Sequence, residues 1–294
     1  MFHRMLKCIC FCLLATMPAI SYSTEVSYRN YFSTKAISND NIDLSATEPD
    51  DVTGYEAVIG LETTLHDEMA TLSLRPQIDV KDYDRPEDIS DKTGQVDLKF
   101  DHMLSKGRFS IDSYYRGTTT QASEFETTGY VSVNKRKHTS YLAPRLTYML
   151  SEIISIDLSA SKSQVVYQDE ADISLSNYDY YSSSASIYHS VNQSDSVFFS
   201  FSNGKQEVKS LSTTSITKSL VIGYSGAATD DFTYRVSLGT RNNIYKSLQT
   251  SSKHGWDSQI SLSQRYERLK VDINLSHSVT PSGAGYLLQQ DYLR

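Results

Sequence analysis

Six very short polar connections recur along this chain, centred on His66-Asp67, Ser105-Lys106, Ser151-Glu152, Gln193-Ser194, Thr229-Asp230 and Glu267-Arg268. The differences between their first residue numbers are 39, 46, 42, 36 and 38. Each is flanked by runs of alternating apolar and polar residues. Between one short connection and the next lies a longer segment rich in Asp, Ser, Thr, Asn and Gly. Short turn, strand, long loop, strand, short turn is the layout of an outer-membrane β-barrel, with short turns on the periplasmic side and longer loops outside. A soluble β-sandwich has hairpins too, but no reason to keep long and short connections in strict alternation.

The first segment bears on destination. Arg4 and Lys7 precede an apolar run from Cys8 to Ala19, and Ser21-Tyr22-Ser23 places small residues where a signal peptidase reads them. Residues 1–23 are therefore expected to be a cleavable signal peptide, cut between Ser23 and Thr24. The apolar run is too short for a membrane anchor, which takes roughly 20 residues. All three cysteines, Cys8, Cys10 and Cys12, leave with that segment. A chain without thiols offers no disulfide framework and no cysteine-ligated metal. Losing Arg4 and Lys7 also lowers Lys+Arg from 28 to 26 against 35 Asp+Glu, so the mature net charge is 26 − 35 = −9. Acidity of that size argues against a nucleic-acid partner.

Hydropathy discriminates between kinds of membrane protein. The mean hydropathy is −0.41, and after the signal no stretch approaches the 18 apolar residues of a spanning helix. A barrel survives this test, because only alternate residues of each strand face lipid. Leu269-Lys270-Val271-Asp272-Ile273-Asn274-Leu275-Ser276 alternates without a break, and Leu72 to Lys81, Val96 to Asp101, Ile154 to Ser159 and Phe232 to Leu238 repeat the pattern. With a period of two, the aliphatic residues share one face and the polar residues the other. The polar parity carries both signs of charge: Arg75, Asp79, Lys99, Asp101, Arg108, Asp112, Arg145, Asp157, Arg235, Lys270 and Asp272. These residues are expected to face a water-lined lumen, and the aliphatic parity lipid. Pro76 and Pro144 fall on the apolar parity and are expected near strand ends or bulges, because proline cannot donate to a ladder. The 21 tyrosines against one tryptophan suggest aromatic girdles at the two membrane interfaces.

Strands are expected near 25–37, 53–64, 69–81, 94–104, 108–117, 139–150, 153–166, 179–191, 196–206, 215–227, 231–245, 256–266 and 269–279, with a last one beginning near Tyr286. The fold class is thus all-β, an antiparallel transmembrane β-barrel of about 14 or more strands occupying residues 24–294. The chain stops at Asp291-Tyr292-Leu293-Arg294 in what reads as mid-strand. Either a short last strand seals a tight barrel or C-terminal strands are missing, and the second is the expectation, since an open edge in lipid is not tolerated.

Ser38-Asn39-Asp40-Asn41-Ile42-Asp43-Leu44-Ser45 after the first strand, the run Gly54 to Leu65, Tyr178-Asp179-Tyr180-Tyr181-Ser182 and Ser278 to Gly285 resemble phrases of the outer-membrane β-barrel porins encoded in bacterial exopolysaccharide and exosortase-linked gene clusters. The resemblance extends over essentially the whole mature chain. It implies a porin-like barrel associated with production or export of surface polysaccharide, and it carries no catalytic residues with it.

His66, His102, His138, His189, His254 and His277 sit in no motif with a nucleophile, so no enzyme activity is expected. The acidic stretches Glu48-Pro49-Asp50-Asp51, Asp82 to Asp88 and Asp169-Glu170-Ala171-Asp172 lack a calcium-loop spacing; no metal or cofactor is expected. The basic run Lys135-Arg136-Lys137-His138 reads either as a solvated loop end or as a contact for outer-leaflet phosphates. Expected partners are outer-membrane lipid and lipopolysaccharide, with polysaccharide or export-machinery proteins beside them. Three functions remain open: a passive pore or conduit, a non-conducting barrel that docks export proteins, and an outer-membrane hydrolase.

Overall fold

The computed structural model describes residues 24–39, 52–84, 91–119, 136–168, 175–247, 250–266, 269–281 and 287–293. The expected signal peptide, the stretches 48–51 and 169–172 and Arg294 lie outside these. Fourteen strands form one antiparallel sheet in chain order: β1 (Glu25–Asn39), β2 (Val52–His66), β3 (Ala70–Tyr83), β4 (Asp91–Leu104), β5 (Gly107–Thr119), β6 (Arg136–Met149), β7 (Ile154–Tyr167), β8 (Tyr178–Ser190), β9 (Ser196–Val208), β10 (Thr213–Thr229), β11 (Phe232–Lys246), β12 (Thr250–Arg265), β13 (Lys270–Pro281) and β14 (Leu287–Leu293). Each strand pairs with its sequence neighbours. Among the described residues no ladder joins β14 to β1, so the described sheet is a wall with two edges.

Turn chemistry closes the short connections. Between β8 and β9 the side-chain oxygen of Asn192 accepts from the backbone N–H groups of Ser194 and Asp195, both at 2.8 Å. Ser151 Oγ accepts from Ile154 N at 3.1 Å and Thr229 Oγ1 from Phe232 N at 3.1 Å. Short polar side chains thus replace the backbone partners that a tight turn leaves unmet.

The sheet has two unlike faces. On one lie Phe32, Ile59, Ile78, Ile222 and Leu238, each more than half exposed. Cross-strand partners share a face, and the registers carry this apolar surface across the sheet, for example along Leu158, Ala185, Phe201, Leu220 and Thr240. A water-soluble monomer does not leave so wide a hydrocarbon surface uncovered. The other face is concave. Tyr31 of β1 reaches over β2 to donate to Gln77 Oε1 of β3 at 2.8 Å, and Ser219 of β10 reaches over β11 to Asp257 of β12. Side chains two strands apart meet only where the sheet curls towards them.

Close approach on the concave face depends on glycine at two places. A Cβ on Gly60 would stand 2.1 Å from the Tyr31 ring, and one on Gly223 2.2 Å from the Phe198 ring. In each case the aromatic is the glycine's direct cross-strand partner.

The prolines depart from expectation. Pro76 and Pro144 lie inside β3 and β6, at neither an end nor a bulge. The β2–β3 ladder omits the pairs beside Pro76 and the β6–β7 ladder those beside Pro144, yet the register resumes unchanged. Long flanking ladders hold the strand while one missing N–H is tolerated. The ladders shift register once among the described residues, between Ala227 and Thr229.

Candidate functional site

Eleven charged residues singled out from the alternation all fall on the concave face: Arg75 and Asp79 on β3, Lys99 and Asp101 on β4, Arg108 and Asp112 on β5, Arg145 on β6, Asp157 on β7, Arg235 on β11, and Lys270 and Asp272 on β13. The sheet brings most of them into opposite-sign contacts that sequence spacing does not show. Arg75 meets Asp97 at 3.3 Å. Arg108 binds Asp101 through Nε at 2.8 Å and Nη2 at 2.5 Å. Arg145 Nη2 lies 2.7 Å from Asp157 Oδ2, which also accepts from Thr147 Oγ1 at 2.9 Å. Lys270 meets Asp272 at 3.0 Å, and Lys99 stands directly across from Asp112. Arg235 has a different partner, its guanidinium lying 3.9 Å from the Phe198 ring centroid. Charges paired in this way create no large field of one sign.

Parity carried across the registers shows a division within this face. Strands β2 to β6 place Glu56, Glu62, Lys81, Asp97, Arg116 and Lys137 on it in addition to the charges already named there. Strands β7 to β10 place on it one ionisable charge, Asp157, among serines and threonines. Their hydroxyls pair across the strands: Ser159 with Ser184 and Ser161 with Ser182, both at 2.7 Å, and Ser186 with Ser200 at 2.8 Å. A hydroxyl so paired keeps a lone pair free for a second partner.

Beside the hydroxyl wall lies a network that the sequence reading missed. Arg241 is 3% exposed and binds Asp257, which also accepts from Ser219. Next to it Thr217 donates to Asn243 at 3.0 Å. Arg241 shares the parity of Arg235, so extending the alternation of β11 by three rows finds it. Its burial and its link to β12 need the register.

Tyrosine divides between the faces instead of forming girdles alone. Tyr115, Tyr224 and Tyr234 are on the apolar face, whereas Tyr31, Tyr114, Tyr141, Tyr180 and Tyr188 are on the concave one. Tyr114 and Tyr141 stack there with centroids 4.9 Å apart. Tyr31 lies over Gly60 and Tyr180 over Gly204, where the missing side chain leaves room for a ring.

The other candidates gather no site. His66 bonds to Thr71 at 2.9 Å, His138 to the Tyr115 hydroxyl at 3.1 Å, and His277 stacks on Trp256 at 4.2 Å. Asp84 clasps β2, accepting from Thr53 N at 3.0 Å and Thr53 Oγ1 at 2.6 Å. Among the described residues no three His, Cys, Asp or Glu side chains converge to hold a metal ion.

No protein-family model matches the chain, and no curated protein matches it. Similar solved structures include the ferric-catecholate import receptor Fiu of E. coli K12 in its open form, at 9% identity and a TM-score of 0.49, with 88% of this chain and 55% of that one covered. Outer-membrane expressed OmpT of Vibrio cholerae is similar at 9% identity and a TM-score of 0.44, covering 80% of this chain and 96% of that one. A Pseudomonas aeruginosa FadL homologue gives 9% identity and a TM-score of 0.41, over 91% and 86%. The chain spans about half the length of the first of these. At these TM-scores the likenesses carry no argument. The chain is an all-β protein, an antiparallel meander with one apolar face and one polar, concave face.

Proposed function

We propose that this chain is an outer-membrane β-barrel that serves as a passive conduit for polar solutes, with surface polysaccharide as the solute class. One observation carries the conduit reading: a wide exposed hydrocarbon face lies back to back with a concave face of paired charges and hydroxyls. In a bilayer, only the first belongs against lipid and only the second against water. The hydroxyl wall of β7 to β10 supports a neutral, hydroxyl-rich solute. Serine offers both donor and acceptor to a sugar without the strong binding that would halt transit. Resemblance to porins of exopolysaccharide gene clusters supports the same class. The reading assigns no reaction to the chain.

Reconstituting the full-length protein into planar bilayers tests the conduit. Discrete conductance steps of weak ion selectivity are expected, together with faster entry of neutral oligosaccharides than of anionic solutes of equal size into protein-containing vesicles. A barrel that inserts and folds yet neither conducts nor admits sugars would overturn the reading in favour of a structural barrel. Strict cation or anion selectivity would contradict the paired-charge lumen.

A further inference from the structure

Among the described residues a depression lies on the apolar face, and its chemistry differs from that of the surrounding surface. A groove of about 780 Å³ crosses β1 to β6 on that face, walled by Phe32, Ile59, Ile78, Val96 and Tyr115. Its floor is Gly94 and Gly117, which the registers set side by side on β4 and β5. Packing does not require these glycines. A Cβ on Gly94 would come no nearer than 3.9 Å to another atom, and one on Gly117 no nearer than 3.5 Å, both ordinary contacts. Gly60 and Gly223, by contrast, admit no side chain. Glycine weakens a strand interior, so two unforced glycines back to back leave a hollow rather than relieve a clash.

Cations border the hollow at the long-loop end. Lys92 and Arg136 are exposed and line the groove, and the β4–β5 and β5–β6 registers extend to place them on either side of Thr119. Two strand spacings put their backbones roughly 10 Å apart, close enough for both long side chains to converge on one anion. Neither makes an ion pair with a described carboxylate. The outward acid on the neighbouring strand, Asp82, is taken up by the Tyr55 hydroxyl at 3.1 Å. Elsewhere on the same face the loop-side half carries Lys162, Lys205 and Lys218 beside Asp179 and Glu207, the latter paired with Lys205, and the described outward positions of the short-turn half carry no Lys, Arg, Asp or Glu.

We infer that the groove seats an acyl chain of a phosphorylated glycolipid of the outer leaflet, with the lipid phosphate held between Lys92 and Arg136. Hydrocarbon walls take the chain, the glycine floor gives it depth, and the two cations neutralise the phosphate. This rests on the outer-membrane reading, but its readout is lipid retention and does not involve conductance.

The test is native mass spectrometry of the full-length protein, folded in detergent and titrated with lipid A and, separately, with its dephosphorylated form. Wild type should retain lipid A and lose the dephosphorylated lipid readily. The K92Q/R136Q double variant should bind lipid A about thirtyfold more weakly, the loss expected for two interfacial cations. Gly117→Leu, whose Cβ the structure accommodates, should fold and weaken both lipids alike by filling the groove. Lys81→Gln, on the concave face, should change nothing. Unaltered retention by the double variant would overturn the proposal, as would displacement of lipid A by inorganic phosphate alone. Failure of the wild type to enter bilayers would instead remove the outer-membrane reading beneath it.

Discussion

Strands β2 to β6 and strands β7 to β12 build two different walls from the same alternation. The first wall lines its concave side with long charged side chains, and none of its described residues is buried. The second carries mainly serine, threonine and glycine along β7 to β10 and the Arg241–Asp257 pair across β11 and β12, and nearly all the buried residues among those described sit there, from Asp157 to Asn243. Small side chains let the sheet curl until rows two strands apart touch, as Ser219 and Asp257 do. Long charged ones meet instead in solvent-exposed pairs, such as Arg108 with Asp101. Side-chain size on one parity thus goes with burial, and with it the dielectric around each charge.

The largest expected effect follows from that dielectric. Asp257→Ala leaves the Arg241 guanidinium buried at 3% exposure without its carboxylate, which should cost about 3–5 kcal/mol. Asp101→Ala, in the charged wall, removes an Arg108 pair whose side chains are 58% and 33% exposed, and should cost less than about 1 kcal/mol. Urea unfolding in lipid vesicles measures both. Equal losses would dissolve the distinction between the walls.

Both walls share an apolar back, which the next pair of changes probes. Val271→Arg turns a cation to lipid and should destabilise by about 2–4 kcal/mol near the midplane, while Asn274→Arg, on the concave parity, should be tolerated. Similar folding yields for the two would mean both faces meet the same medium.

Glycine tests the curvature itself. Gly223→Ala must displace the Phe198 ring, which a Cβ would approach to 2.2 Å, and should cost about 1–3 kcal/mol. Gly94→Ala, open to 3.9 Å, should be neutral or slightly stabilising. The reverse order of melting temperatures would refute the packing argument.

The smallest effect concerns pH at the β8–β9 turn. Hydrogen bonds from Asn192 and then Tyr234 hold the Asp195 carboxyl below the usual carboxylate range. A depressed folded value means the contribution is complete at neutral pH and is lost only as pH falls through that lowered value. Val191 N donates to Asp195 O at 2.9 Å across this turn, so the protection factor of the Val191 amide, its exchange rate relative to the free-peptide rate at the same pH, should hold from neutral pH down through the ordinary carboxylate range and fall only in stronger acid. Protection lost already within the ordinary carboxylate range would contradict the assignment.

Much of this was legible from residues alone. Alternation in stretches such as Leu269 to Ser276 located most strands to within three residues, although β12 begins at Thr250 and not near 256, and put the charges on one parity, because a period of two leaves no other arrangement. Partners were not legible. Arg145 and Asp157 are twelve residues apart, and only the β6–β7 register makes them a pair. The hydroxyl wall was hidden for a different reason: Ser182-Ser183-Ser184 has the composition of a linker, and its role emerges when β7 and β9 line up beside it. Pro76 and Pro144 misled because local propensity weighs less than two long ladders.

Site-directed spin labelling along β9 tests the central claim most directly. All three cysteines lie at positions 8, 10 and 12, so with these three replaced by serine, single cysteines at successive positions from Val197 to Gln206 can each be labelled alone in protein reconstituted into bilayers. Oxygen accessibility should peak at Val197, Phe199, Phe201, Asn203 and Lys205, with a decline towards the long-loop end. A water-soluble nickel chelate should reach the alternate positions, Phe198, Ser200, Ser202, Gly204 and Gln206, to the extent that packing allows. Two profiles in phase, or without a period of two, would show that the faces do not separate lipid from water.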